Sequence, residues 1–365
     1  MTKLTQRLTA AIFCLFIGGF GILHLLLPDR TFSPVENRNL SQAPAFSWES
    51  LVDGTFTSDL EEYLADQFPL RDGWMGLKTR YEYLLGHREF NNVYLCGDTL
   101  ISHITDTSRA QQNLDYLRRL VEKTELPVYL GLIPTAEEVW RDKLPQGAPA
   151  FDQLAYLEEA KDTGALWVDI AGALQAHAGE DIFYRTDHHW TSLGTYYGYA
   201  ALTEAMGLEA LPLGEKVTVS EDFNGTLYST SGVHWLRPDA MDRYVSGEGV
   251  TVENGYTGEM GGLYVDSFLG EKDKYSSFLG GNNPLYIVRN PNAATDQKLL
   301  VVRDSYSDSL APFLSQTYAE VHLLDLRYYR TSVAQYAEDM GADAIFVCYS
   351  VENFIKDADA VFLAQ

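Results

Sequence analysis

Apolar and polar positions follow successive rhythms along this chain. The first is one apolar run, Leu8 to Leu27, interrupted only by Thr9 and His24. At ~1.5 Å per residue, a run of about twenty residues spans a bilayer as a helix. Lys3 and Arg7 precede it and Pro28-Asp29 follows, which keeps the N-terminus inside and the bulk of the chain outside. A cleavable signal peptide is the rival reading. The run is long for one and no clear small-x-small site follows it, so an uncleaved anchor is expected, with the remainder extracytoplasmic.

Residues 31–60 read as an extended lead-in with Pro34, Pro44 and Trp48. A short amphipathic helix over Glu61 to Arg71, broken by Pro69, and another over Trp74 to Leu85 come next. Val93-Tyr94-Leu95 and Leu100-Ile101-Ser102 flank Gly97-Asp98 and predict a hairpin.

The rhythm then becomes α/β. A helix over Ser108 to Lys123 leads into the strand Val128 to Ile133, and Leu166 to Asp169 into a helix over Ile170 to Ala178. A further helix spans Ser192 to Met206. Glycine, tyrosine, threonine and aspartate dominate residues 209–283, which read as inserted hairpins and loops, either a wall facing substrate or plain decoration. Strands Leu285 to Val288, Lys298 to Val302, Glu320 to Asp325 and Ala344 to Tyr349 resume the alternation, with helices near Ser309 to Gln316 and Ser332 to Met340. Apolar strands alternating with helices argue for a parallel sheet covered on both faces. The expected divisions are 1–28 as anchor, 29–105 as lead-in and 106–365 as the α/β domain.

Composition narrows the picture. The 365 residues are 46% hydrophobic and rich in tyrosine, so the chain can bury a sizeable core. A formal net charge of -24 with no basic patch excludes nucleic acid as the natural partner. Cys14 lies in the apolar run, which leaves Cys96 and Cys348 free or paired with each other. No cysteine–histidine cluster suggests zinc, and no cofactor is expected.

The chemistry concentrates in two stretches, Thr186-Asp187-His188-His189-Trp190-Thr191 and Arg303-Asp304-Ser305-Tyr306-Ser307. In extended backbone Asp187 and His189 point to one side, so the carboxylate orients an imidazole that serves as general base. His188 then points away and is the alternative base, and Trp190 packs the turn. Ser305 follows an apolar strand where a helix begins, a position where its own and neighbouring N–H groups suit a developing oxyanion. The bland readings are that Ser305 only caps a helix and that Asp187 or Thr191 caps another.

Thr186 to Thr191 resembles the signature of the DHHW proteins, which are similar to SGNH-like O-acetyltransferases of bacterial exopolysaccharide export, the alginate-type proteins among them. Glu36-Asn37-Arg38, Tyr63 to Arg71, Phe223-Asn224-Gly225-Thr226-Leu227 and Asp304-Ser305-Tyr306-Ser307 carry further parts of the resemblance. It implies a circularly permuted SGNH-hydrolase-like α/β domain, with Ser305 as nucleophile, His189 as base and Asp187 as its partner. Arg303 departs from the glycine of the hydrolases' Gly-Asp-Ser block. Arg327, Tyr328 and Asn353 follow later strands and are the substrate or oxyanion candidates, Asn353 standing where an SGNH oxyanion asparagine would be. The implied function is acetyl transfer to a secreted or cell-wall polysaccharide, with a multi-spanning membrane acyltransferase as acetyl donor. The alternatives are an acetyl esterase using the same triad and a non-catalytic glycan-binding or scaffold protein.

Overall fold

The computed structural model describes residues 3–365, which form two compact units. The first comprises residues 3–87 with 232–234. Its long helix, Lys3–Leu26, is long and apolar enough to cross a membrane. Three shorter helices follow, Trp48–Val52, Thr55–Asp66 and Arg71–Leu84. The break between the last two falls at Phe68-Pro69, so the expected helix over 61–71 starts earlier and ends sooner. Charges tie the lead-in to these helices. Arg38 pairs with the buried Asp66 at 2.5 Å and with Glu36 at 2.9 Å, and Glu36 also pairs with Arg71.

The second unit, residues 88–231 with 235–365, is an α/β domain. Its main sheet contains β1 (Val128–Ile133), β2 (Leu166–Trp167), β3 (Thr251–Asn254), β4 (Met260–Gly261), β5 (Leu285–Arg289), β6 (Lys298–Arg303), β7 (Glu320–Leu324) and β8 (Ala344–Ser350). The spatial order is β4-β3-β5-β7-β6-β8-β1-β2. From β7 to β2 the neighbours are parallel, whereas β5 pairs antiparallel with both β7 and β3.

The sheet is therefore mixed, not parallel as the apolar pattern predicts. The reason lies in the link 290–297, which carries no helix and is too short for a parallel crossover of about a dozen residues. It joins strand ends on one edge: Arg289 and Lys298 both register with Glu320. The insertion also joins the sheet, since β3 and β4 lie within 209–283. The hairpin Val93–Cys96/Thr99–Ser102 packs with this unit rather than with the lead-in, and Leu100 N–H donates to Arg185 O at 2.8 Å.

Both faces of the sheet are covered. Leu299 and Val301 of β6 pack into one cluster with Tyr199, Leu202 and Phe313. Leu300 and Val302 pack into the other with Leu114, Leu117 and Leu120. A strand buried on both sides must be apolar at every position, which is why β6 reads as a continuous hydrophobic run. Each such side chain contributes roughly 1.5–3 kcal/mol on burial. That rigidity positions whatever leaves the carboxyl end of β6. All three cysteines are free thiols, with Cys348 buried in β8.

Candidate active site

The Ser305 side of the site is a single tight turn, a 3-10 helix over Ser305–Asp308 at the end of β6. Its cap is Asp304, not Ser305. Oδ1 of Asp304 accepts the Tyr306 N–H at 3.0 Å, and Oδ2 accepts the Ser350 N–H (2.9 Å), the Ser350 hydroxyl (2.8 Å) and the Asn353 amide (2.8 Å). This one buried carboxylate clamps the turn after β6 to the turn after β8.

The sequence-derived view of the oxyanion donors needs correction here. The Tyr306 and Ser307 N–H groups donate to the side chain and carbonyl of Asp304, so of the three only the Ser305 N–H is not spent on it. Asn353 lines the neighbouring cavity, but its amide is held by Asp304. Arg303 is fully buried and pairs with Asp308 at 2.7 Å. It lies within the core rather than on the cavity.

The histidine side is built from the loop before helix Ser192–Ala205, whose N-cap is Thr191. Thr186 is anchored by Asp239, which accepts both its N–H (2.8 Å) and its hydroxyl (2.6 Å). Asp187 Oδ1 lies 2.6 Å from His189 Nδ1 and also accepts the His189 N–H at 2.9 Å. Its Oδ2 accepts the Thr226 N–H at 2.7 Å. A Cβ on Gly225 would fall 2.2 Å from the Asp187 Cβ, so only glycine lets that loop approach. His189 Nε2 lies 2.9 Å from Ser305 Oγ. Asp187 and His189, two positions apart, and Ser305, 116 positions after His189, are thus joined in one chain of hydrogen bonds.

Trp190 secures that meeting. Its buried indole N–H donates to Tyr306 O at 2.9 Å and Ser309 Oγ at 3.0 Å, and its ring fills the space where a Cβ on Gly198 would sit. The Tyr306 hydroxyl in turn donates to His188 O.

His188 does not point away as a regular strand would require. The segment is bent, and the His188 ring packs on His189 with centroids 3.9 Å apart and lines the cavity. Desolvation and the neighbouring His189 lower its pKa, which favours the neutral ring. Ligand atoms of Asp187, His188 and His189 lie within 4.8 Å of one another, yet His189 already engages Asp187 and Ser305 through its two nitrogens. Burial of Asp187 opposes its ionisation, but the two imidazoles, the His189 bond and the Thr226 N–H outweigh this and hold it below the usual carboxylate range.

Sequence reasoning missed Tyr275. It comes from the insertion, stacks on His189 with centroids 3.8 Å and planes 8° apart, and donates its hydroxyl to Ser305 O at 3.2 Å. Nothing in local spacing announces a residue that acts from a short 3-10 turn, Lys274–Ser277, within the insertion. Thr226 and Gly225 were legible as a motif but not as the carboxylate's support.

A cavity of about 410 Å³ lies beside the Asp187–His189–Ser305 chain, bordered by their neighbours His188, Thr226 and Asn353 and by His103, Glu352 and Lys356, but by none of those three side chains. Arg327 and Tyr328 do not reach it. Arg327 is committed to Asp325 through two hydrogen bonds, at 2.9 and 2.6 Å, and Tyr328 is exposed. A larger hollow of about 970 Å³ lies at Arg185 and Thr191, and it too is lined by none of Asp187, His189 and Ser305.

The profile of the DHHW protein family matches residues 36–126 and 154–324. Among solved structures, a DHHW family protein from Eubacterium siraeum is similar at 23% identity, over 75% of this chain and 95% of that one, with TM-score 0.66. PatB1 of Bacillus cereus with a sulfonyl adduct is similar at 18% identity, over 74% and 97%, with TM-score 0.61. The O-acetyltransferase domain of Pseudomonas putida AlgJ superposes more loosely, at 16% identity over 73% and 93%, with TM-score 0.45. No curated protein matches the chain.

Proposed function

Because this chain belongs to the DHHW protein family, we propose that it is an extracytoplasmic O-acetyltransferase acting on a secreted or cell-wall polysaccharide through an acyl-Ser305 intermediate. The observation that carries this reading is the unbroken chain from Asp187 through His189 to Ser305, at 2.6 and 2.9 Å. His189 Nε2 takes the proton of Ser305 Oγ as that oxygen attacks the acetyl carbonyl, and returns it to the leaving alcohol. An acceptor hydroxyl in the adjoining cavity then gives its proton to His189 as it attacks the acetyl-serine, and His189 returns that proton to Ser305 Oγ as the acyl–serine bond breaks and the acceptor leaves as its ester. Asp187 stabilises the imidazolium formed in each half-reaction.

In this reading the fold is a circularly permuted SGNH-hydrolase-like domain, since serine comes last in the order Asp–His–Ser along this chain and first in SGNH hydrolases. Asn353 belongs to the substrate side, through its place on the cavity. Helix Lys3–Leu26 is the membrane anchor, supported by its length and composition. The acetyl group reaches the site from a multi-spanning acyltransferase, because the chain has no nucleotide-binding motif for a cytoplasmic donor.

The test is serine-directed. A sulfonyl fluoride probe is expected to label wild type and not Ser305→Ala, and the variant to lose turnover of an acetyl ester. Adding an acceptor oligosaccharide should divert acetyl from water to sugar. Release of free acetate alone makes the protein an esterase, and unchanged glycan acetylation in cells carrying Ser305→Ala makes it a scaffold.

A further inference from the structure

Helix Arg71–Leu84 carries an uncovered apolar stripe. Leu70, Trp74, Leu77, Tyr81, Leu84 and Leu85 follow at steps of three and four, so they share an arc of about 100° on the helix. A helix packed on a water-soluble core buries such a face. Here Leu77 is 57%, Tyr81 62% and Leu84 81% exposed. Lys78 and Arg80 flank the stripe, where long side chains keep their charges in water while their stems cover apolar surface.

What covers the stripe is indicated by the apolar helix in the same unit. Phe20 stacks on Phe68 with centroids 5.4 Å and planes 2° apart, and Phe16 and Phe20 lie 6.2 and 5.7 Å from the Trp74 ring. From Phe20 to the end of the run at Leu27 is seven residue steps, or ~10 Å of helix, the depth to which interfacial helices sink. Past that end the contacts turn polar: Tyr63 donates to Asp29 at 3.1 Å and Arg30 pairs with Asp72 at 2.8 Å. Aromatic contacts thus give way to ionic ones over the distance in which a bilayer passes from acyl chains to headgroups.

We propose that Arg71–Leu84 is a membrane-surface helix whose stripe is buried in the outer leaflet beside the span. This rests on the anchor reading above, and it adds a second, monotopic contact with lipid.

The test uses the full chain in phosphatidylcholine–phosphatidylglycerol nanodiscs, with Cys14→Ala and Cys96→Ala removing the accessible thiols. A fluorophore is placed on Leu77→Cys in the stripe, on Glu82→Cys outside it, or on Leu15→Cys in the span. The label at position 77 is expected to be quenched by brominated acyl chains and to be about fivefold less sensitive to aqueous iodide than the label at 82. Equal iodide sensitivity at 77 and 82, with position 15 still quenched by lipid, overturns the proposal while leaving the anchor intact. Protection at 77 that appears only in native membranes also overturns it and assigns the stripe to a protein partner. If position 15 is not quenched by lipid, the anchor reading fails and the proposal with it.

Discussion

Two aspartates on facing loops, Asp187 and Asp304, are each buried and each rich in hydrogen bonds, yet they do different work. Asp187 spends one oxygen on an imidazole that touches Ser305 Oγ and the other on the Thr226 N–H. Asp304 receives donors from Tyr306, Ser350 and Asn353, and none of these bonds leads to a reacting atom. Burial and bond number do not distinguish a functional carboxylate from an architectural one. In the proposed mechanism, what distinguishes them is whether a partner changes its charge during the reaction.

The sharpest way to break this comparison is to neutralise each in turn. Asp187→Asn should lower ester turnover by about 10³- to 10⁴-fold, because the imidazole loses the group that fixes its tautomer and stabilises its charge. The variant should remain folded, which circular dichroism would check. Asp304→Ala leaves several buried donors without an acceptor and should cost about 3–5 kcal/mol in urea unfolding. Its turnover, measured at a temperature where it is folded, should fall by no more than about tenfold. An Asp304→Ala protein that is fully folded yet inactive would collapse the distinction.

A third buried carboxylate sharpens the point about donors. Glu137 is fully buried, has one oxygen without a partner, and receives Gln153 only at 3.5 Å. Desolvation pushes its pKa up to about 7, against the weaker pulls of His103, the Ile104 N–H and Gln153. The folded protein therefore holds a proton on Glu137 that the unfolded chain has already released, and stability is lost as pH rises from the ordinary glutamate range toward 7. Glu137→Gln removes that loss. It should match wild type near pH 4.5 and exceed it by up to about 3 kcal/mol above pH 7 in denaturant titrations. A constant difference across that range would mean that Glu137 is already satisfied as an anion.

The sequence made some of this legible and hid the rest for physical reasons. β6 announced itself because a strand buried on both faces has no polar position, and Asp187, His189 and Ser305 followed from short spacings and a strand end. The direction of β5 did not, because an apolar pattern is the same for either direction and only the short link to β6 constrains it. His188 was misjudged through the assumption of extended backbone, where the segment bends. Arg327 looked available at a strand end, but its neighbour Asp325 claims the guanidinium. Tyr275 left no local trace at all.

Tyr275 gives the smallest and most discriminating prediction. Its ring supports one face of His189, while its hydroxyl holds the carbonyl of Ser305 and bonds Ser309 Oγ at 3.1 Å. The ring contact and the hydroxyl bond can be separated. Tyr275→Phe keeps the stack and removes a single hydroxyl proton shared between Ser305 O and Ser309 Oγ, about 1 kcal/mol of neutral hydrogen bonding, so turnover should fall by only about fivefold. Tyr275→Ala also removes the ring stacked on the imidazole and should cost markedly more, through loss of the orientation that this stack adds to the Asp187 hydrogen bond. If the two variants are equally impaired, the hydroxyl rather than the ring positions the site, and Tyr275 then belongs with Asp304 among the groups that hold the Ser305 turn instead of with Asp187 among those that hold the base.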